Sequence, residues 1–237
     1  MKLTYIYHSG YAIETEGLSL IIDYYKDSAN EGGVVSNLLK KEGKLYVLST
    51  HSHADHFNKE ILKWKDAKKD ITYIFSKDIL NNGFAKADDA IYLDKLDTYK
   101  DSNIAIKAFG STDLGVSFLM EIKGKTIFHA GDLNNWHWNE ESTPEEIQEA
   151  ETYYSKELEL LAANVKYIDL AMFPIDPRLG KDYMKGARQF IEAIKVDILV
   201  PMHFGEAYDK AAAFSEIAAK NKCRYISWKK KGESLEF

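Results

Sequence analysis

Short apolar runs rich in β-branched and aromatic residues recur through the first half of the chain. Leu3–Tyr7, Tyr11–Thr15, Ser19–Asp23, Leu45–Ser49, Ile71–Phe75, Ala90–Leu93, Ile104–Phe109, Val116–Ile122 and Thr126–His129 read as strands. Lys123-Gly124-Lys125 supplies a tight hairpin turn between the last two. Helical periodicity marks Val34–Lys41, Asn58–Lys65, Thr143–Ala163, Asp182–Ile194 and Glu206–Asn221. Ser142-Thr143-Pro144-Glu145-Glu146 has the cap, early proline and early acids of a helix start. Strands return at Ile168–Phe173, Asp197–Val200, Arg224–Ser227 and Glu233–Phe237. Short strands interspersed with helices predict an α/β or α+β fold.

Composition narrows the function classes. The 237 residues suit one domain, 1–237, with no Pro/Ser-rich linker and no repeat to divide it. The net charge of −6, without a long basic run, weighs against a nucleic-acid footprint. Lys229-Lys230-Lys231 is a short basic patch that reads as a solvated turn before the last strand. One cysteine, Cys223, permits no internal disulfide. The N-terminus reads as a strand rather than a signal peptide, and no segment is long enough to span a bilayer. These features predict a cytoplasmic protein with no membrane partner; the oligomeric state is not legible.

The densest chemistry lies in Ser49-Thr50-His51-Ser52-His53-Ala54-Asp55-His56, directly after the apolar run Leu45-Tyr46-Val47-Leu48. Imidazole and carboxylate at this density suit zinc and its first-row neighbours. His51 and His53, two apart, point the same way in an extended segment. Asp55 and His56 are adjacent and cannot share that direction, so the chain bends. The spacing predicts His51 and His53 as ligands of one ion and Asp55 and His56 as ligands of another.

This His-x-His-x-Asp-His pattern resembles the metallo-β-lactamase superfamily of metallohydrolases. Three further stretches are similar to that superfamily in the same order. His8-Ser9-Gly10-Tyr11-Ala12-Ile13-Glu14-Thr15 followed by Leu20-Ile21-Ile22-Asp23 resembles its first hairpin. Thr126-Ile127-Phe128-His129-Ala130-Gly131-Asp132 resembles its strand ending in the metal-bridging Asp, and Ile198-Leu199-Val200-Pro201-Met202-His203 its last ligand strand. The His8 hairpin and the lack of a large insert are most similar to the ascorbate-phosphate lactonase-like branch. The resemblance implies an α/β fold, a four-layer αβ/βα sandwich of two mixed β-sheets flanked by helices. It implies one or two divalent ions, zinc first, then manganese or iron. Asp55, His56, Asp132 and His203 would furnish one site, and His51 and His53 would begin the other, with Asp132 bridging. Asp55 would also orient a water and take its proton, the catalytic role. The alternative for Asp132 is a turn residue after Gly131, and for His203 a core or loop histidine.

One departure stands out. The family supplies a further histidine in a Gly-His-Thr segment, where this chain has Gly110-Ser111-Thr112-Asp113. With Ser111 in that place, either Asp113, a water or another histidine completes the His51/His53 site, or that site is weak or empty. Secondary candidates are His8, near the metals; His137, in a loop with Trp136 and Trp138 that forms a pocket wall or anchors to the core; and Arg178, which clamps an anion or pairs with Asp176. Asp23 is expected to orient a ligand histidine or hold its strand end. The expected function is hydrolysis of a small ester, lactone or phosphorylated metabolite by metal-activated water. The alternatives are a nuclease or phosphodiesterase on the same fold and a non-catalytic metal- or metabolite-binding protein.

Overall fold

The structure, a computed structural model, describes residues 1–28 and 32–237. The chain folds as two compact units, Met1–Asp94 with Trp228–Phe237, and Lys95–Ser227. In the first unit the elements run β1 (Lys2–Tyr7), β2 (Gly10–Thr15), β3 (Leu18–Ile22), α1 (Val34–Lys40), β4 (Lys44–Ser49), α2 (Trp64–Ala67), β5 (Ile71–Ser76), α3 (Lys77–Asn81) and β6 (Ile91–Leu93). The second holds β7 (Thr98–Lys100), β8 (Ile104–Gly110), β9 (Val116–Ile122), β10 (Lys125–His129), α4 (Pro144–Asn164), β11 (Tyr167–Pro174), α5 (Lys185–Ala193), β12 (Lys195–Met202), α6 (Tyr208–Ala212), α7 (Ser215–Lys220) and β13 (Arg224–Tyr225). The chain then returns to the first unit as β14 (Ser234–Glu236).

Each unit is built on one mixed sheet. The first has the order β14-β1-β2-β3-β4-β5-β6, antiparallel through β3 and parallel beyond it. The second has the order β13-β12-β11-β10-β9-β8-β7, antiparallel from β7 to β10 and parallel from there to β13. In both, crossovers set the parallel strands side by side, and their apolar runs are buried on both faces, as in β3 and β4. In the first unit Ile6, Ala12, Ile21, Val47 and Phe75 pack with Val35 and Leu38 of α1. Chain segments leaving the carboxyl ends of parallel strands are where such sheets hold ligands. Here β3 delivers Asp23, β4 delivers the His51–His56 turn, β11 delivers Asp176 and β12 delivers His203.

The expected strands are present, and Lys123 and Gly124 both take positive φ, 50° and 77°, in the two-residue hairpin between β9 and β10. The expected capping box at Thr143 and Glu146 starts α4. Three helices differ from expectation. Asn58–Lys65 became a 3₁₀ turn, Lys59–Lys63, running into α2. The helix expected from Asp182 starts at Lys185, after the 3₁₀ turn Pro177–Asp182, inside which Gly180 is non-helical. Glu206–Asn221 is broken into α6 and α7. Periodicity reports the buried face and is blind to breaks that keep that face buried. No helix of the described residues is long and apolar enough to cross a membrane.

Candidate metal centre

In the first unit the site is organised around a carboxylate. Asp23 is fully buried, just past β3, with φ 49°. Its Oδ1 accepts the Thr50 backbone N–H at 2.8 Å, and its Oδ2 accepts the Thr50 hydroxyl at 2.7 Å. His56 Nδ1 donates to the same Oδ2 at 2.7 Å. Because the Thr50 hydroxyl gives its proton to Asp23, its oxygen accepts from His51 Nδ1 at 3.1 Å. Both histidines are thereby fixed as Nδ1–H tautomers, with the lone pair on Nε2. This is the arrangement by which outer carboxylates orient metal-binding imidazoles.

The turn that carries them is pinned as well. The Phe57 and His56 amides donate to His53 O, and the Ser52 amide donates to Asp78 Oδ2 at 2.9 Å. The bend expected between the two ligand pairs is therefore present. His51 and His53 offer nitrogens within 4.8 Å of each other, while His8, Asp55 and His56 offer a second set within the same limit. His8 Nε2 lies 3.2 Å from Asp55 Oδ2. His8 itself has φ 57° at the β1–β2 turn. Next to it Gly10 packs so closely that a Cβ there would stand 3.0 Å from the carbonyls of Asp23 and Tyr7.

The second unit repeats the device. His203 follows β12 with φ 64°, and its Nδ1 donates to Asp176 Oδ2 at 2.9 Å. Its Nε2 stands 3.5 Å from Asp132 Oδ1. Burial opposes ionisation of Asp176, but the bonds from His203 and Arg178 outweigh it and hold the carboxyl down at about 2. Arg178 binds Asp176 through both Nε and Nη2, with its side chain 64 % exposed. The pairing that the sequence left as the alternative to an anion clamp is thus formed. Asp132 is nearly buried, and its carbonyl accepts from Trp136 Nε1 at 2.8 Å. Trp136 in turn stacks on Trp138 and packs edge-on to His203.

Ser111 directly follows β8 and is buried, and its hydroxyl accepts the Asp113 amide at 3.3 Å. The Asp113 and Asp132 carboxylates offer oxygens within 4.8 Å of each other. His137 is held by backbone on both ring nitrogens: Nδ1 accepts from the Asn139 amide, and Nε2 then donates to Asp182 O. That makes His137 part of the loop's own scaffold. His129 accepts the Gly131 amide on Nδ1 and is fully buried. Asp176 and Thr50 were not singled out as ligand-orienting groups from sequence, since an Asp or Thr at a strand end reads equally as a cap or turn residue.

The donors fit a divalent first-row ion. His51, His56 and His203 each have Nδ1 committed to an oxygen acceptor, which leaves Nε2 as the coordinating atom. Within the second unit two carboxylates stand close enough to repel, an arrangement that a cation relieves.

Residues 2–152 match the model of the β-lactamase superfamily domain. A UPF0173 metal-dependent hydrolase of Bacillus velezensis is 27 % identical over 221 residues, covering 86 % of this chain and 85 % of its own. One from Pyrococcus abyssi is 25 % identical over 217 residues, covering 86 % and 84 %. In fold, a metallo hydrolase of Ignicoccus hospitalis superposes with a TM-score of 0.70 at 18 % identity, over 100 % of this chain and 98 % of its own.

Proposed function

The chain belongs to the metallo-β-lactamase superfamily, and on that premise we propose that, like the UPF0173 metal-dependent hydrolases it is similar to, it is a hydrolase, and that it acts on a small ester, lactone or phosphorylated metabolite. In this reading His51, His53, Asp55, His56, Asp132 and His203 are the residues that would hold metal. Zinc is the proposed metal, manganese or iron the alternatives. The reading includes the ascorbate-phosphate lactonase-like branch, supported by the His8 turn, and a single-domain cytoplasmic protein with a small-molecule substrate. The observation that carries it is the set of carboxylate- and hydroxyl-anchored Nδ1 atoms on His51, His56 and His203. A protein would have little reason to fix three buried imidazoles as one tautomer unless Nε2 had a use.

A bound divalent ion supplies Lewis acidity, acidifying water and polarising a carbonyl or phosphoryl oxygen. The chain's own groups do the rest. Asp55, partly exposed beside His8, accepts the proton of the attacking water. Asp23 and Asp176 keep the imidazoles oriented throughout. Asp113, held by Ser111, takes the place of the family's missing histidine.

The test is metal analysis of protein purified without chelator, followed by a panel of p-nitrophenyl esters, lactones, phosphomonoesters and phosphodiesters. Bound metal with turnover of one class is the expected result. Failure to take up any divalent metal after reconstitution overturns the reading. Metal binding without turnover of any class returns the protein to the non-catalytic alternative. Asp55→Asn should lower turnover strongly at equal metal content.

A further inference from the structure

In the second unit, residues 133–142 follow Asp132 and lead into α4, carrying two indoles. The loop is fixed at many points, none of which involves the Trp138 side chain. Leu133, Asn134, Asn135 and His137 are buried. The ring of His137 meets Asp182 O at 3.2 Å, and Asn139 Nδ2 donates to Asp182 Oδ2 at 3.0 Å, which braces the loop on the 3₁₀ turn before α5. Asn135 Nδ2 donates to Gln189 Oε1 of α5 at 2.9 Å. Trp136 gives its indole N–H to Asp132 O at 2.8 Å and lies edge-on to His203, with ring centroids 5.4 Å apart.

Trp138 differs from its neighbours. Its side chain is half-buried, and its indole N–H has no partner among the described residues. Its backbone lies at φ 42°, and its carbonyl accepts the amides of Glu141 and Ser142, which turns the chain toward α4. Glycine or asparagine makes such a left-handed turn with less strain, so the turn does not account for a bulky ring at this position. Among the described residues Trp138 meets one ring, that of Trp136, at 6.3 Å with planes 15° apart. Nearly parallel rings at an ordinary contact separation of about 3.5–4 Å are then displaced sideways by about 5 Å, so they overlap only in part. The indoles make a stepped, flat apolar surface that starts at His203.

We propose that Trp138, supported by Trp136, is a substrate subsite for a planar aromatic or heteroaromatic group joined by a short link to the bond that is cleaved. The proposal rests on the hydrolase reading, because it takes Asp132 and His203 to belong to the metal centre. It selects, from esters, lactones and phosphorylated metabolites, those that carry a flat ring. The two indoles then divide the work: Trp136 positions Asp132 through its carbonyl, and Trp138 meets the substrate. A flat ring gains contact area and favourable ring electrostatics on an indole, and a loop already braced on Asp182 and Gln189 loses little freedom when it binds.

Phenylphosphonate and cyclohexylphosphonate are the probes; they share a head group and ring size and differ in flatness. Their binding to the Zn2+-loaded full chain is measured by calorimetry, and the ratio of the two affinities is the readout, since the head group cancels in it. Wild type should prefer the phenyl probe by about fivefold. Trp138→Leu should bring the ratio below about twofold, Trp138→Phe should keep most of it, and Tyr153→Leu, which removes an exposed ring on α4, should match wild type. Metal affinity, by competition with a chelator, should stay within about twofold of wild type in Trp138→Leu and fall in Trp136→Phe, which loses the bond to Asp132 O. A wild type that binds neither probe or does not prefer phenyl overturns the proposal, as does a Trp138→Leu variant that keeps the preference. Loss of metal affinity or of the circular dichroism spectrum in Trp138→Leu also overturns it, and makes Trp138 an anchor of the loop. If the ratio depends on Trp138 but no ester, lactone or phosphate is turned over, the hydrolase reading fails and the aromatic subsite stands. If turnover occurs while the ratio ignores Trp138, the reverse holds.

Discussion

Asp23 Oδ2 and His56 Nδ1 are joined by a 2.7 Å hydrogen bond between two fully buried side chains. The same carboxylate takes both the amide and the hydroxyl of Thr50, and through that hydroxyl it orients His51. One side chain therefore sets the direction of a histidine from each of the two ligand pairs that the sequence spacing separates.

Replacing Asp23 by Asn tests that dependence. An amide has one accepting oxygen where three donors converge, so its NH2 must face either the Thr50 backbone N–H or both the Thr50 hydroxyl and His56. Metal affinity should fall about tenfold or more, measured by competition with a chromophoric chelator. Thr50→Val, which cuts only the branch to His51, should cost less. Unchanged affinity in Asp23→Asn would remove Asp23 from the metal centre.

The second unit offers a contrast between neighbours. Asp176 is nearly buried and holds His203, whereas the Arg178 side chain is 64 % exposed. Asp176→Asn should weaken metal binding by about tenfold, because His203 loses its charged acceptor. Arg178→Ala should change it by less than about threefold, since an exposed partner contributes little. The same competition assay decides. Equal losses in both variants would mean that the Asp176–Arg178 pair acts as a unit.

Much of the fold, and the cluster of candidate ligands, is legible in the sequence. His51, His53, Asp55 and His56 stand together in sequence, and a metal needs that density of nitrogen and carboxylate, so the chain advertises it. The strands were readable because β3 and β4 are nearly continuous apolar runs. What was not legible were the pairings made across long sequence distances. Nothing in Phe173-Pro174-Ile175-Asp176 says that its acid meets a histidine 27 residues later. Asp23 meets His56 only because parallel pairing sets β3 beside β4.

Glu14 gives a pH dependence away from the metal residues. It bonds Lys2 at 3.1 Å and Lys41 at 2.9 Å. Burial raises its pKa, but the two lysines outweigh that and hold the carboxyl below its ordinary value. A depressed folded pKa means that the unfolded chain takes up the proton first. The stabilisation is therefore complete above the unfolded value of about 4.3 and is lost as pH falls through the folded one. The urea midpoint of wild type should drop between about pH 5 and pH 3 more steeply than that of Glu14→Gln. Parallel profiles would show that the pair contributes nothing to folding.

Gly186 is the sharpest packing test. It is the second residue of α5, where alanine's helix propensity favours substitution by about 1 kcal/mol. Sterics oppose it. A Cβ at this position would lie 2.0 Å from Asn134 Oδ1 and 2.8 Å from the Asn135 backbone nitrogen. Neither side yields easily. The Asn134 backbone is held by the Thr112 hydroxyl at both its N–H and its C=O, and the Gly186 carbonyl accepts Tyr154 Oη at 2.7 Å. The clash should win, costing about 2 kcal/mol of stability by urea unfolding. Because Asn134 lies two residues beyond Asp132, whose carbonyl also contacts the Thr112 hydroxyl, the strain should reach that proposed ligand. Gly186→Ala should therefore lower both the unfolding midpoint and the metal affinity, although residue 186 holds no ligand. A variant as stable as wild type, or more so, would show that propensity outweighs packing here and that the Asn134 loop moves without disturbing Asp132.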